Sequence, residues 1–164
     1  MYKVGDIVVY SATGVCEITE ITKREFCKIT ANYYVLTPLT QKSATVFVPA
    51  ENPALTKKMH PVFSKEEFLE AFEKAKTTEI VRPQNENERK QRFSEILDSG
   101  DRTSLLLAVY DLHRLQKEQM ESSRRLHIAD EKLLNSAENL LFDEVSYVFG
   151  ISPDNALEFI QSHF

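Results

Sequence analysis

With 164 residues, 42% hydrophobic and 27% charged, the chain has the length of one ordinary domain or two small ones and enough apolar content to exclude wholesale disorder. Its net charge of −5 speaks against a nucleic-acid partner until the distribution is read: residues 133–164 carry five acids and no Lys or Arg, whereas residues 81–132 hold ten of each sign, so basic patches are possible there. No apolar run reaches the ~20 residues that span a bilayer, and "MYKVGDIVVY" shows no basic leader before an apolar stretch, so neither a membrane nor export is expected and the cytoplasm is the implied location.

Up to about residue 62 the apolar residues recur with period two, enriched in β-branched and aromatic types. "DIVVY", "VCEITEIT", "NYYVLTPL" and "SATVFVPA" read as four strands, and "ALTKKMH" as a shorter fifth. Gly5 and Gly14 fall where turns need backbone freedom, and Pro49 and Pro53 close the fourth strand. Five short strands with tight connections predict a small SH3- or Tudor-like β-barrel over residues 1–62. Cys16 and Cys27 both lie in strand sequence and read as reduced, packed thiols.

From Ser64 the period becomes helical. "SKEEFLEAFEKA" opens with a capping box, Ser64 and Glu67 satisfying each other's backbone donors, and its buried stripe is expected to be Phe68, Leu69 and Phe72. "KTTEIVRPQN" has little periodicity and reads as a connector, so residues 63–82 form one helix and its link to the next. A second helix is predicted from about Asn85 to Asp98, stopped at Gly100, and a third from about Asp101 to Met120 with Leu105, Val109 and Leu112 on one face. After the turn "ESSRRLH", a fourth covers about Ala129–Phe149, and Ser152–Pro153 start a short last one. The fold class is therefore α+β, a small β-barrel followed by an all-α domain over residues 83–164.

Signals of catalysis are missing. The chain has no Walker A loop, no G-x-G-x-x-G, no H-E-x-x-H, no G-x-S-x-G and no C-x-x-C, and its four histidines are scattered. "DLHRL" has the Asp before the His and sits inside a predicted helix, which does not fit a kinase loop. No enzyme activity, metal or cofactor is expected.

Binding signals are better. Arg89, Lys90 and Arg92 in "NERKQRF" flank the apolar stripe Phe93, Ile96 and Leu97, a placement from which cations could grip phosphates while the stripe packs. A solvated helix paired with Glu86 and Glu88 is the other reading of the same run. Arg124 and Arg125 precede the fourth helix, and Lys132 stands near its start, where a cation opposes the helix dipole and needs another reason. Together they suggest contact with a nucleic-acid backbone.

"VGDIVVYSATGVCEI", "TVFVPAEN", "SGD" between two helices and "DEKLL" opening a later one resemble the CarD/CdnL family of bacterial transcription regulators over nearly the whole chain. The same barrel occurs in the transcription-repair coupling translocase, but no motor motifs are present here. The resemblance implies that the barrel docks on the RNA polymerase β subunit, partly through a strand edge. It also implies that the helical domain, as one copy in the complex, contacts promoter DNA at the upstream edge of the melted bubble, largely without sequence reading. Arg24, Thr45 and Phe47 match polymerase-contacting positions, with Phe47 standing where many relatives carry Arg; Arg89 and Lys132 match basic DNA-facing positions. Well-known members wedge a Trp into the minor groove; this chain has no Trp, and Glu86 or a neighbour falls at that place. The Trp-less helical domain motivates an alternative, an adaptor that links polymerase to another protein without binding DNA.

Overall fold

A computed structural model describes residues 1–10, 13–26 and 28–164. The chain forms two compact units, Met1–Val62 and Phe63–Phe164. Cys27 lies outside the described residues, and Cys16 is buried in the first unit.

The first unit is a five-stranded antiparallel sheet. Its strands are β1 (Ile7–Tyr10), β2 (Gly14–Phe26), β3 (Ile29–Pro38), β4 (Val46–Pro49) and β5 (Met59–Pro61), in the order β4-β3-β2-β1-β5. The sheet is open. β4 and β5 are its edges, and no ladder joins them among the described residues, so the closure that a barrel demands is missing from the pairing. The expected fifth strand is also divided: Asn52 accepts from the Ala54 N–H and Pro53 supplies a fixed φ, so α1 (Pro53–Thr56) forms first and the strand shrinks to Met59–Pro61.

β2 is longer than its alternation suggested, because β3 pairs with it all the way to Phe26↔Ile29. Val8, Cys16, Ile18, Tyr34, Leu36, Val48 and Met59 cluster as the core of one sheet face. Between Ile18 and Glu20 the register slips by one residue, since Ile18 faces Leu36 while Glu20 faces Val35. A one-residue bulge exchanges the faces of every residue beyond it. Past Thr19, the even-numbered residues of β2 therefore leave the core face.

The second unit contains α2 (Lys65–Thr77), α3 (Glu86–Ser99), α4 (Arg102–Glu121), α5 (Ile128–Phe149) and α6 (Pro153–Gln161). The Ser64–Glu67 capping box is present in both directions, at 3.2 and 2.7 Å. Gly100 and Gly150 close α3 and α5 at φ of 70° and 68°, a conformation costly for a residue with a Cβ. The buried stripe of α2 is Phe68, Ala71, Phe72 and Ala75; Leu69 is on the outside, because the helix turns its i, i+3, i+4 and i+7 positions inward. Leu105, Val109 and Leu112 of α4 and Leu134, Ala137 and Leu141 of α5 are buried, and the two helices pack on each other. Within the unit Arg102 and Glu144 form a fully buried pair, Nε–Oε2 at 2.6 Å and Nη2–Oε1 at 3.1 Å.

Candidate functional site

On the sheet face opposite the core, the bulge sets Arg24 and Phe26 beside Tyr33 of β3 and Phe47 of β4. Phe47 is opposite Val35, and Tyr33 is opposite both Thr22 and Pro49, so the four side chains share this face. The Arg24 guanidinium lies 4.9 Å from the Phe47 ring centre. Phe26 meets Tyr33 edge-on at 5.2 Å and Phe47 at 5.8 Å. Phe26 is 44% exposed, so the cluster is an apolar platform open at one side and crossed by a cation. Such aromatic and Arg groups are the side chains that dominate protein interfaces. Thr45 is exposed immediately before β4, which is an edge strand. The two residues next to Phe47 point the other way, Val48 into the core and Val46 against it.

The helical unit distributes its cations less simply. Arg89 sends Nε and Nη2 to the two carboxylate oxygens of Asp130, at 2.9 and 3.1 Å, and Nη1 to the carbonyls of Pro83 and Gln84, at 3.3 and 2.8 Å. Its charge is neutralised and its donors are engaged inside the protein. Lys90 pairs with Glu86 at 2.6 Å, both half-exposed, and that hydrogen bond first, with the charge behind it, holds the Glu86 carboxyl below the usual range. Arg92 is exposed apart from one bond, Nη1 to the Val81 carbonyl at 2.8 Å. Arg124, Arg125 and Lys132 are exposed. Phe93 is buried, as its spacing with Ile96 and Leu97 implied.

Thus the structure joins α3 to the start of α5 through Arg89, and leaves Arg124, Arg125 and Lys132 facing solvent. Three carboxylate partners were not singled out from sequence: Asp111, which takes Arg82 at 2.7 Å and raises its pKa chiefly by that bond, Asp130 and Glu144. Each looks in sequence like one more surface acid. A groove of about 180 Å³ opens between the connector, α3, α4 and the first turn of α5, walled by Val81, Phe93, Leu107 and Leu112. It is smaller than the roughly 300–1,000 Å³ of typical ligand pockets. Among the described residues no three His, Cys, Asp or Glu side chains gather as metal ligands would, and no helix is long and apolar enough to cross a membrane.

Residues 2–62 match the family model of the CarD-like/TRCF RID domain, and residues 69–161 match that of the CarD C-terminal domain. A protein of Bacillus subtilis (strain 168), "Putative transcription factor YdeB", is 24% identical over 165 aligned residues, covering 97% of this chain and 99% of that protein. The two family matches fall on either side of the boundary between the compact units.

Proposed function

Because the chain belongs to the CarD-like family of transcription regulators, we propose that it docks on the β subunit of RNA polymerase through its sheet unit and touches promoter DNA through its helical unit. The first unit belongs to the RNA polymerase-interacting type of domain. We read it as an SH3- or Tudor-like module opened between β4 and β5. The observation that carries the docking reading is the cluster of Arg24, Phe26, Tyr33 and Phe47 beside the edge strand β4. An edge strand offers main-chain groups for pairing, and an aromatic platform beside it offers area to desolvate. The protein acts as one copy at the upstream edge of the bubble and is associated with the nucleoid through polymerase. It favours the melted promoter by binding it better than the closed one. Co-purification with RNA polymerase, followed by footprinting on a promoter, tests this. Capture of polymerase with no protection of DNA and no change in open-complex lifetime would instead favour the adaptor.

The DNA contact is electrostatic and falls on Lys90, Arg92, Arg124, Arg125 and Lys132, with Arg89 serving inside the protein. Replacing Lys90, Arg92 or Lys132 by Ala is expected to lower the log–log salt slope of duplex binding by about 0.9 each, without altering sequence preference. A variant that loses affinity for one sequence alone would show base reading instead.

Glu86 occupies the place of the minor-groove wedge and offers neither stacking area nor attraction to phosphate. Its pairing with Lys90 also occupies a cation. Glu86→Trp is therefore expected to add a stacking side chain and release Lys90 together. Stacking is worth ~1–3 kcal/mol per base, so open-complex lifetime should rise about fivefold to a hundredfold if all of it appears in dissociation. Asn85→Trp and Asn87→Trp bracket the position. If none of the three lengthens the lifetime while polymerase binding persists, the start of α3 does not reach the bubble edge.

A further inference from the structure

Arg89 and Asp130 link the starts of α3 and α5, each of which carries one lysine of the proposed DNA-contacting set, Lys90 and Lys132. Arg89 lies in the first turn of α3 and Asp130 in the first turn of α5, with only 5% of the Asp130 side chain exposed. The bidentate fork fixes both the separation and the rotation of the two groups, which a single-point lysine contact cannot do. Through Nη1 the same guanidinium holds the carbonyls of Pro83 and Gln84, so one side chain ties connector, α3 and α5 together. Arg92 adds a second tie from α3 to the connector, at the Val81 carbonyl. Lys90 follows Arg89 directly, and Lys132 stands two residues beyond Asp130, about 3 Å along the helix axis. Any rotation or separation of the pair therefore moves both lysines.

We infer that Asp130 is a positioning residue for DNA contact: through Arg89 it holds the first turns of α3 and α5 at the spacing at which Lys90 and Lys132 meet the phosphate backbone. The inference rests on the DNA-contacting reading of the helical unit. It makes a claim opposite in sign to simple electrostatics. A carboxylate beside a phosphate-binding surface repels DNA, and its removal should tighten binding if charge alone mattered, the more so because Arg89 would be released to reach a phosphate. A positioning role makes the same change weaken binding.

The test uses the full chain and a fluorescent forked promoter duplex, with anisotropy read between about 50 and 200 mM KCl. Variants are first shown to be folded by circular dichroism. Asp130→Asn is expected to weaken binding about two- to thirtyfold, the range of effects transmitted through such contacts, with a salt slope that stays level or falls as phosphate contacts are lost. Arg89→Lys keeps every charge and loses the fork to Asp130 together with the Nη1 bonds to the Pro83 and Gln84 carbonyls; it should weaken binding in the same range, and it carries the test if Asp130→Asn does not fold. Binding by Asp130→Asn as tight as wild type or tighter, or unaltered binding by Arg89→Lys, overturns the inference. Lys90→Ala and Lys132→Ala assign the failure. If they lower the slope while the Arg89 and Asp130 variants do nothing, the DNA reading stands and the positioning role alone falls. If the wild-type chain binds no duplex, both fall.

Discussion

Arg102→Met is expected to destabilise the helical unit by about 3–5 kcal/mol, the usual cost of removing one partner from a buried ion pair. Arg102 and Glu144 are 2% and 0% exposed, so neither charge can turn to water when the other is lost. The network extends past the pair. Glu144 Oε1 accepts the Phe63 N–H at 3.0 Å, Arg102 Nη1 donates to the Gly100 carbonyl at 2.8 Å, and the guanidinium lies 5.1 Å from the Phe63 ring centre. It thereby fixes the entry to the unit, the glycine end of α3 and the start of α4 around one point. For a unit of this size each kcal/mol is worth about 4–8 °C, so the melting midpoint should fall by at least about 12 °C. Adding Glu144→Leu should restore part of this, because a paired apolar replacement strands no charge. It leaves the Phe63 N–H without its acceptor, which keeps about 1–3 kcal/mol from returning. A midpoint for Arg102→Met within a degree or two of wild type would mean that solvent reaches this pair.

Phe47→Asp is expected to lower affinity for the polymerase β subunit by at least about thirtyfold, the loss that marks a hot-spot side chain. The substitution removes the ring that Arg24 covers and that Phe26 and Tyr33 meet, and puts a carboxylate in an apolar cluster. The fold should survive, because Val46 and Val48 face the core and Phe47 does not. Arg24→Glu should have a smaller effect in the same direction, since Arg24 is exposed and its ring contact is worth about 0.5–1 kcal/mol at such a site. Unchanged pull-down of the β-subunit lobe by both folded variants would remove this face from the docking surface.

The element types were legible because local rules and tertiary packing agree. Ser64 with Glu67, Asn85, Asp101, Gly100 and Gly150 mark helix ends in sequence and do so in the structure, since capping is settled within three or four residues. Leu69 misled because three apolar residues close together show several possible faces, and only packing against the other helices, α4 and the rings of Phe149 and Phe159 among them, selects the one formed by Phe68, Ala71, Phe72 and Ala75. The start of "ALTKKMH" misled because its alternation is short and a capped proline competes with it locally.

The sequence by itself determined a β unit followed by helices, the family and the presence of cations in residues 81–132, since these depend on composition, period and motif. Which cations are spent was decided by tertiary structure alone. Arg89 reads as a surface base until Asp130, 41 residues away, is found against it, and an ion pair between distant segments leaves no mark on local periodicity. The face proposed for docking was decided the same way. In unbroken alternation Arg24 and Phe26 would fall on the core side with Cys16 and Ile18; the single residue inserted at Thr19 turns them to the face of Phe47. A bulge is a property of the ladder between two strands, and it exists only once β3 has chosen its register against β2.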